Sequence, residues 1–453
     1  MGQLETLTSF MGEGGLEEEI KADVVVIGGG AAGLTAAAKT AAKNLKTMVI
    51  SRGLGATALS TGAIDVLGYR GRLLLDNPLQ GLKELLEEEP QHPYSLMAEG
   101  NFKRLIRLLA ETLEAFKKAS RNLNLPYHGS LEANLLLPTC FGTFKPTCLA
   151  PITALYGDLK ALDGKKMLLV GFKGYTELDV KYASEALAFL AKTHLNIDLK
   201  VESYELSFPG FENRKSLHPM ELASILDKDG TFSQLLRRLE KMETLRGSDV
   251  LGLPPALGFS KAAGNLRRIE ASLGVKAFEL LPPPPSTPGQ RLQLMLEKVA
   301  QTAGAKICLA CEALKFEVKE GLAWALKARF RGRIVSFKAE AYVLATGGFL
   351  AGGIMVKKKK VFEPLLGFQI GDLEKISLLK EAFFTLKGHP LFRFGLQVNQ
   401  DLNPLNQGGA IVARNVYCAG GMLANTDYSD EKSGLGVALT TGYMAGLKAC
   451  GEA

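Results

Sequence analysis

Apolar residues fall in short unbroken runs along this chain, and most of the runs end on glycine or proline. Asp23-Val24-Val25-Val26-Ile27 gives way at once to Gly28-Gly29-Gly30-Ala31-Ala32-Gly33, then to an Ala-rich segment as far as Ala42. A second apolar run covers 47–51. Continuous β-branched runs predict strands buried on both faces, and the alanines predict a closely packed helix. The unit therefore reads strand, tight turn, helix, strand. Helical spacing returns over 79–86 and 102–118, and 135–151 is irregular and punctuated by proline. A strand over 166–171, a helix over 177–193 and a strand over 197–205 form a second β-α-β unit, followed by a helix at 231–244 and a strand at 249–253. The proline run in 281–289 predicts a stiff, extended crossing into a helix over 290–303.

Beyond residue 305 the pattern predicts a β-meander, with short strands at 306–311, 313–319, 322–330 and 333–339. An apolar strand at 341–344 then ends in Ala345-Thr346-Gly347-Gly348. Asn415-Val416-Tyr417-Cys418-Ala419-Gly420-Gly421 reads as a strand running into a glycine turn. Ser433-Gly434-Leu435-Gly436 opens an Ala/Gly-rich helix over 437–449.

Composition narrows the class without naming it. The chain has 453 residues, 47% hydrophobic and 22% charged, as in a globular protein with a large core. No apolar run reaches the eighteen or so residues of a spanning helix. Residues 1–20 carry Glu13, Glu17, Glu18 and Glu19 and no basic start, so they read as a disordered or weakly docked acidic extension and not as a secretory signal. The net charge is 54 − 47 = +7, modest for this length. The one basic run, Lys357–Lys360, has no interleaved aromatics and reads as a solvated loop, with an acidic subunit or an anionic membrane as the functional alternative. No nucleic-acid partner is expected. Six cysteines include Cys308-x-x-Cys311, which lies in a strand where i and i+3 face opposite sides and has no second pair to complete a metal site. The cysteines read as structural and fit a cytoplasmic protein.

The chemistry lies in the first turn. Gly28, Gly30 and Gly33 spell G-x-G-x-x-G between a buried strand and a helix, where glycines admit the turn, the pyrophosphate and close helix packing. The helix N-terminus, with Ala31 and Ala32, offers N–H groups to the phosphates. An acidic residue normally ends the second strand and binds the ribose. Ser51 stands there instead, followed by Arg52 and Gly53, which argues against a standard NAD site. The small, polar loop to Ser60, Thr61 and Gly62 can run close to a ligand. So can Ala345-Thr346-Gly347, the Gly420-Gly421 turn, and Gly434 and Gly436 at a helix start. Gly171-Phe172-Lys173-Gly174 is a weaker phosphate loop without the usual Lys-Ser/Thr pair.

The glycine fingerprint, the Ser-Thr-Gly loop, Ala-Thr-Gly-Gly after a strand and the C-terminal Tyr-Cys-Ala-Gly-Gly resemble flavoproteins of the fumarate reductase/succinate dehydrogenase type. Nearly the whole chain after residue 20 is similar to the B-subunit family of anaerobic glycerol-3-phosphate dehydrogenase. Val49-Ile50-Ser51-Arg52-Gly53, Leu59–Asp65, His92-Pro93-Tyr94-Ser95-Leu96, Leu168–Gly174, Leu281–Arg291 and Glu363-Pro364-Leu365-Leu366-Gly367 carry that likeness. It implies an α/β fold, a Rossmann-like FAD-binding domain with a β-meander over 21–90 and 289–453, interrupted by an α/β lobe over 91–288. It also implies a protein that oxidises sn-glycerol 3-phosphate to dihydroxyacetone phosphate and passes electrons toward quinone. The implied partners are a catalytic flavoprotein subunit and an iron–sulfur membrane-anchoring subunit, which would hold the chain on the inner face of the cell membrane.

This family is generally assigned FMN, whereas the fingerprint favours FAD. No histidine lies between Gly33 and Asn77, so the flavin is expected to be noncovalent. Metal binding is not expected. A phosphorylated alcohol needs a cation for its dianion and a base for its proton. Arg291 and Arg393 are the candidate cations, and His92 and His389 the candidate bases. Alternative functions are a fumarate reductase-like flavoenzyme acting on another small acid and a noncatalytic flavin-fold assembly subunit.

Overall fold

The chain folds around a five-stranded parallel sheet, seen in a computed structural model that describes residues 18–452 except 209, 213, 383, 384, 386 and 387. Its elements are β1 (Val24–Ile27), α1 (Ala31–Ala41), β2 (Thr47–Ser51), α2 (Thr287–Thr302), β3 (Lys306–Leu309), β4 (Ala341–Leu344), β5 (Val416–Cys418) and α3 (Gly434–Ala449). The strands lie in the order β3-β2-β1-β4-β5. β1 and β4 are buried along their whole length, which is what two covered faces demand of an apolar run.

Helices α1 and α3 pack side by side on this sheet, and their composition explains how closely. A Cβ at Gly442 would sit 2.2 Å from the Ala32 carbonyl oxygen, and one at Gly446 would sit 2.9 Å from Lys39 Cβ. Glycine on α3 facing alanine on α1 lets the backbones approach where larger side chains would hold them apart.

The meander is antiparallel over Cys311–Lys319, Leu322–Phe330 and Arg333–Lys338. The chain start joins it, because Glu18–Lys21 pairs in parallel with Val335–Lys338. Ile20 is buried there, and Glu19 reaches Lys338 Nζ at 2.6 Å. Residues 18–20 therefore do not belong to a weakly docked extension, while 1–17 lie outside the described residues. A second correction concerns the cysteines. The strand expected across 305–313 breaks at Ala310 (φ 55°), where the chain leaves the parallel sheet and enters the meander. Strand alternation no longer applies across the break, and the nearby Cys308 and Cys311 thiols influence each other, which lowers the pKa of Cys308 and raises that of Cys311.

The inserted lobe has its own four-stranded parallel sheet, ordered 200–206, 166–172, 250–253 and 276–279. The helix Ala262–Leu273 and the last strand, neither legible in the sequence pattern, complete it. Its core runs from Leu136 to Leu280, whereas Leu105, Leu109, Leu113 and Phe116 of the helix Phe102–Asn122 belong to the first core. The lobe's own packing thus begins well after residue 91. Gly171 serves strand-on-helix packing, since a Cβ there would meet Val180 Cβ at 2.8 Å. Asp179 caps the following helix by accepting from Tyr182 N–H at 3.0 Å, so a carboxylate already stands where a phosphate would bind. The phosphate-loop reading of 171–174 has no support.

Lys357–Lys360 forms the turn of a β-hairpin, not a plain loop, between Met355–Lys357 and Lys360–Glu363. Glu363 closes this hairpin with a fully buried carboxylate that accepts from Leu365 N–H at 3.1 Å and Leu366 N–H at 2.6 Å. Burial raises its pKa from 4.5 to about 7 despite those bonds. The folded chain then holds a proton that the unfolded chain releases, so stability falls as pH rises from about 4.5 through 7. Glu363→Gln is expected to flatten that part of the pH profile. Thermal melts of wild type and variant at pH 5 and pH 8 would show it, and an unchanged slope would contradict the assignment.

Candidate functional site

Three glycine-bearing strand ends meet at the carboxyl edge of the parallel sheet. Gly28 has φ 120°, and a Cβ there would lie 2.1 Å from the Ala345 carbonyl oxygen, so the first turn touches the end of β4. A Cβ on Gly33 would lie 2.0 Å from the Gly28 carbonyl oxygen. Ala32 adjoins Gly420, whose N–H donates to Thr441 Oγ1 at 2.9 Å, so the end of β5 joins the same cluster. Gly347 has φ 76°, and the carbonyl of Gly421 backs onto Gly348. The sequence-predicted residues Gly28, Ala32, Ala345, Thr346, Gly347, Gly420 and Gly421 are therefore neighbours in space.

The segment after β2 folds over this edge. Ser51 Oγ donates to the Gly53 carbonyl at 2.7 Å and lies beside Gly29. Arg52 does not point to the glycine turn; its Nη2 donates to the Ala351 carbonyl at 3.0 Å. Gly55 packs against Gly30, and Thr57 Oγ1 accepts from Ala31 N–H at 2.8 Å. Thr57, missed in the sequence, thus serves the start of α1. That start has no side-chain cap of its own and no acidic residue in its first turn.

Two predicted groups sit elsewhere along the edge. The Ser60-Thr61-Gly62 loop lies on the start of α2, where a Cβ at Gly62 would meet Pro288 at 2.7 Å. Thr61 Oγ1 accepts from Lys145 Nζ at 3.2 Å, and Lys145 pairs with buried Asp65 at 2.6 Å. The start of α3 packs on the same segment, with Gly436 N–H donating to the Asp65 carbonyl at 2.7 Å and Gly434 against Tyr428. At about 1.5 Å per residue, the six residues from Gly436 to Gly442 place this point about 9 Å from the Ala32 contact.

The catalytic candidates divide. Arg291 and His92 are buried away from any open site. Arg291 pairs with Glu279 through both terminal nitrogens and donates from Nε to the Gly258 carbonyl at 2.6 Å. His92 Nδ1 accepts from Tyr94 N–H at 3.1 Å, and Nε2 lies 3.4 Å from Glu431 Oε2. Burial alone would raise the Glu431 pKa, but His92, the Asp427 N–H and the Ser433 hydroxyl outweigh it and hold it at about 2. His92 is thus a cap and a carboxylate partner, not a free base. His389 is half-buried, with Nδ1 accepting from Lys380 N–H at 3.1 Å.

Arg393 is half-exposed and lines a cavity of about 160 Å³ with Gln397, Asn406 and Asn425. Glu89 is its ion-pair partner and is shared with Arg70, whose Nη1 lies 2.6 Å away. The cavity abuts the glycine edge, because the Phe394 ring lies tilted 6.1 Å from that of Phe349, and the sulfur of Met422, whose carbonyl lies behind Gly395, is 3.8 Å from Thr346 Oγ1.

Two further observations bear on what the edge could hold. Gln293 of α2 is buried and donates from Nε2 to the Gly29 carbonyl at 2.7 Å, while its Oε1 has no partner. Its place on α2 gave no signal in the sequence. A Cβ at Gly30 would make only ordinary contacts, 3.7 Å from Thr57 Oγ1 and 3.8 Å from Gly55, and one at Gly421 would meet nothing within 4 Å. The glycine turn, the helix start, whose Ala31 N–H is held by Thr57 and which has no cap of its own, and the unpaired acceptor are features that suit a flavin dinucleotide.

Comparison with known families agrees with this geometry. A family model described as FAD binding domain matches residues 23–437. The B subunit of a probable anaerobic glycerol-3-phosphate dehydrogenase from Halobacterium salinarum is 29% identical over 443 residues, covering 95% of this chain and 98% of the relative. The B subunit of the anaerobic glycerol-3-phosphate dehydrogenase from Vibrio vulnificus is 28% identical over 442 residues, covering 95% and 96%. Among solved structures, 3-ketosteroid Δ1-dehydrogenase from Sterolibacterium denitrificans covers 96% of this chain and 100% of that one, at 13% identity and a TM-score of 0.44. A mutant of E. coli quinol fumarate reductase covers 96% and 71%, at 10% identity and a TM-score of 0.40. No helix of the described residues is long and apolar enough to cross a membrane.

Proposed function

Because this chain belongs to the FAD binding domain family, we propose that it is the flavin-bearing component of an anaerobic glycerol-3-phosphate dehydrogenase complex. In this reading it binds FAD noncovalently and oxidises sn-glycerol 3-phosphate to dihydroxyacetone phosphate, with electrons leaving toward quinone through partner subunits. The observation that carries it is the meeting of Gly28, Ala345 and Gly420 at one sheet edge, beside a cavity containing Arg393. The names of the Halobacterium and Vibrio relatives supply the substrate class and the expectation of partners.

Bound flavin would supply the two-electron acceptor for the hydride leaving the alcohol carbon, and the hydroxyl proton would leave to solvent. The chain's part is to bind and orient. Gly30 and the start of α1 would receive the pyrophosphate, with Thr57 fixing the first N–H of that helix. Arg393 would take the substrate phosphate dianion, a charge-assisted contact for which Glu89 is exchanged, and the amides of Gln397, Asn406 and Asn425 would orient the remaining oxygens. Glu89 keeps Arg70 as a partner when Arg393 turns to substrate, so the exchange leaves no carboxylate unpaired.

The test is to purify the chain alone and add glycerol 3-phosphate without oxygen. A yellow protein that bleaches supports oxidation in this chain. Bleaching that requires the partner protein supports electron relay, and a colourless chain that refuses added flavin ends the proposal. Arg393→Ala is expected to raise the KM for glycerol 3-phosphate by about 10- to 150-fold, the worth of one hydrogen-bonded charge contact, with flavin content unchanged. An unaltered KM would remove Arg393 from the substrate site.

A further inference from the structure

We propose that Gln293 is the ribose-reading residue of this fold, accepting from the ribose diol of an adenosine dinucleotide, and that Glu297 holds its amide in the accepting orientation. The inference rests on the flavin reading above and decides which half of the cofactor the chain recognises.

The argument is one of hydrogen-bond satisfaction. An amide side chain has two N–H donors and one acceptor oxygen. Gln293 Nε2 spends its donors on the Gly29 carbonyl at 2.7 Å and on Glu297 Oε1 at 2.7 Å. Both partners accept only, so the orientation of the amide is fixed: turning it over would set its oxygen against two others. The remaining acceptor, Oε1, is buried without a partner, and the residue is 1% exposed. A buried acceptor in that state is costly unless something donates to it.

The position says what could donate. Gly29 lies between β1 and the end of β2, and Ser51 Oγ would be 3.1 Å from a Cβ placed on it. In dinucleotide folds a carboxylate at the end of β2 accepts from the ribose hydroxyls. Ser51 stands there in this chain, and its own hydroxyl proton goes to the Gly53 carbonyl at 2.7 Å. The carboxylate missing there is thus made up for by a neutral amide acceptor from a different element, α2, 242 residues further along (293 − 51), beside the lone pairs that Ser51 Oγ retains. A neighbouring diol is the ligand group whose donors match an acceptor there. FMN has no ribose diol to place at this point, whereas FAD does.

The test uses the full-length apoprotein titrated separately with FAD and FMN, read by quenching of flavin fluorescence. Gln293→Met is expected to weaken FAD about tenfold, the worth of one hydrogen bond to a buried acceptor, and to leave FMN within about twofold. Glu297→Leu should behave like Gln293→Met. Glu297→Gln keeps an acceptor for Nε2 and should stay near wild type for FAD, which a merely structural loss would not allow. Equal losses of FAD and FMN, unchanged FAD affinity in Gln293→Met, or a wild-type chain binding both flavins equally would each overturn the proposal while leaving the flavin reading in place. A wild-type chain that binds neither flavin would end both.

Discussion

Arg291→Met is expected to lower the stability of the chain by about 3–5 kcal/mol, because it strands a buried carboxylate. Arg291 lies on α2, beside the parallel sheet, and Glu279 ends the last strand of the inserted lobe. Their side chains are 2% and 1% exposed, so neither charge can turn to water when its partner is lost. The Glu279 carboxylate also accepts from Leu257 N–H at 2.8 Å, and Arg291 donates from Nε to the Gly258 carbonyl, so the pair ties the loop at 257–258 to both. Replacing both members by methionine should recover most of the loss, since a buried pair repays little beyond its own desolvation. Urea melts of the two single variants and the double variant would check this. A single variant as stable as wild type would remove the pair from its role as the latch between lobes.

The second large effect separates folding from cofactor binding within one motif. Gly28→Ala and Gly33→Ala should fail to reach the native fold, since their Cβ atoms would stand 2.1 Å and 2.0 Å from backbone oxygens that neighbouring elements hold in place. Gly28 also requires φ 120°, a region that a side chain disfavours. Gly30→Ala should fold normally, because its Cβ meets nothing nearer than 3.7 Å. It should still lose flavin affinity by about tenfold or more, for the methyl would occupy the approach of the pyrophosphate. Circular dichroism and flavin content of the three purified variants would decide. If Gly30→Ala retained a full complement of flavin, the pyrophosphate would have to lie elsewhere.

These contrasts show how far the sequence could be read. The β1-turn-α1-β2 unit was legible because its signals are local: β-branched runs, glycines at fixed spacing and an Ala-rich helix. The meander was legible for the same reason, apart from the break at Ala310. A single residue with positive φ moves the chain from one sheet to another there, and alanine gives no warning of it. Arg291 and His92 drew attention as a candidate cation and a candidate base, but their roles depend on Glu279 and Glu431, and the latter lies 339 residues from His92. Thr57 and Gln293 drew none, because a threonine in a loop or a glutamine on a helix is ordinary until its neighbour is known.

By itself, the sequence determined the fold class, the order of elements around the first glycine turn, and the kind of ligand that turn can approach. Those follow from backbone geometry, which glycine, alanine and β-branched residues constrain within a few positions. Only the tertiary structure decided which charges are paired and buried, which cation lines a cavity, and which acceptor was left without a donor. Burial and pairing arise between residues hundreds of positions apart, and an arginine becomes a buried ion-pair partner, as Arg291 does, or a cavity-lining cation, as Arg393 does, according to what folding places beside it.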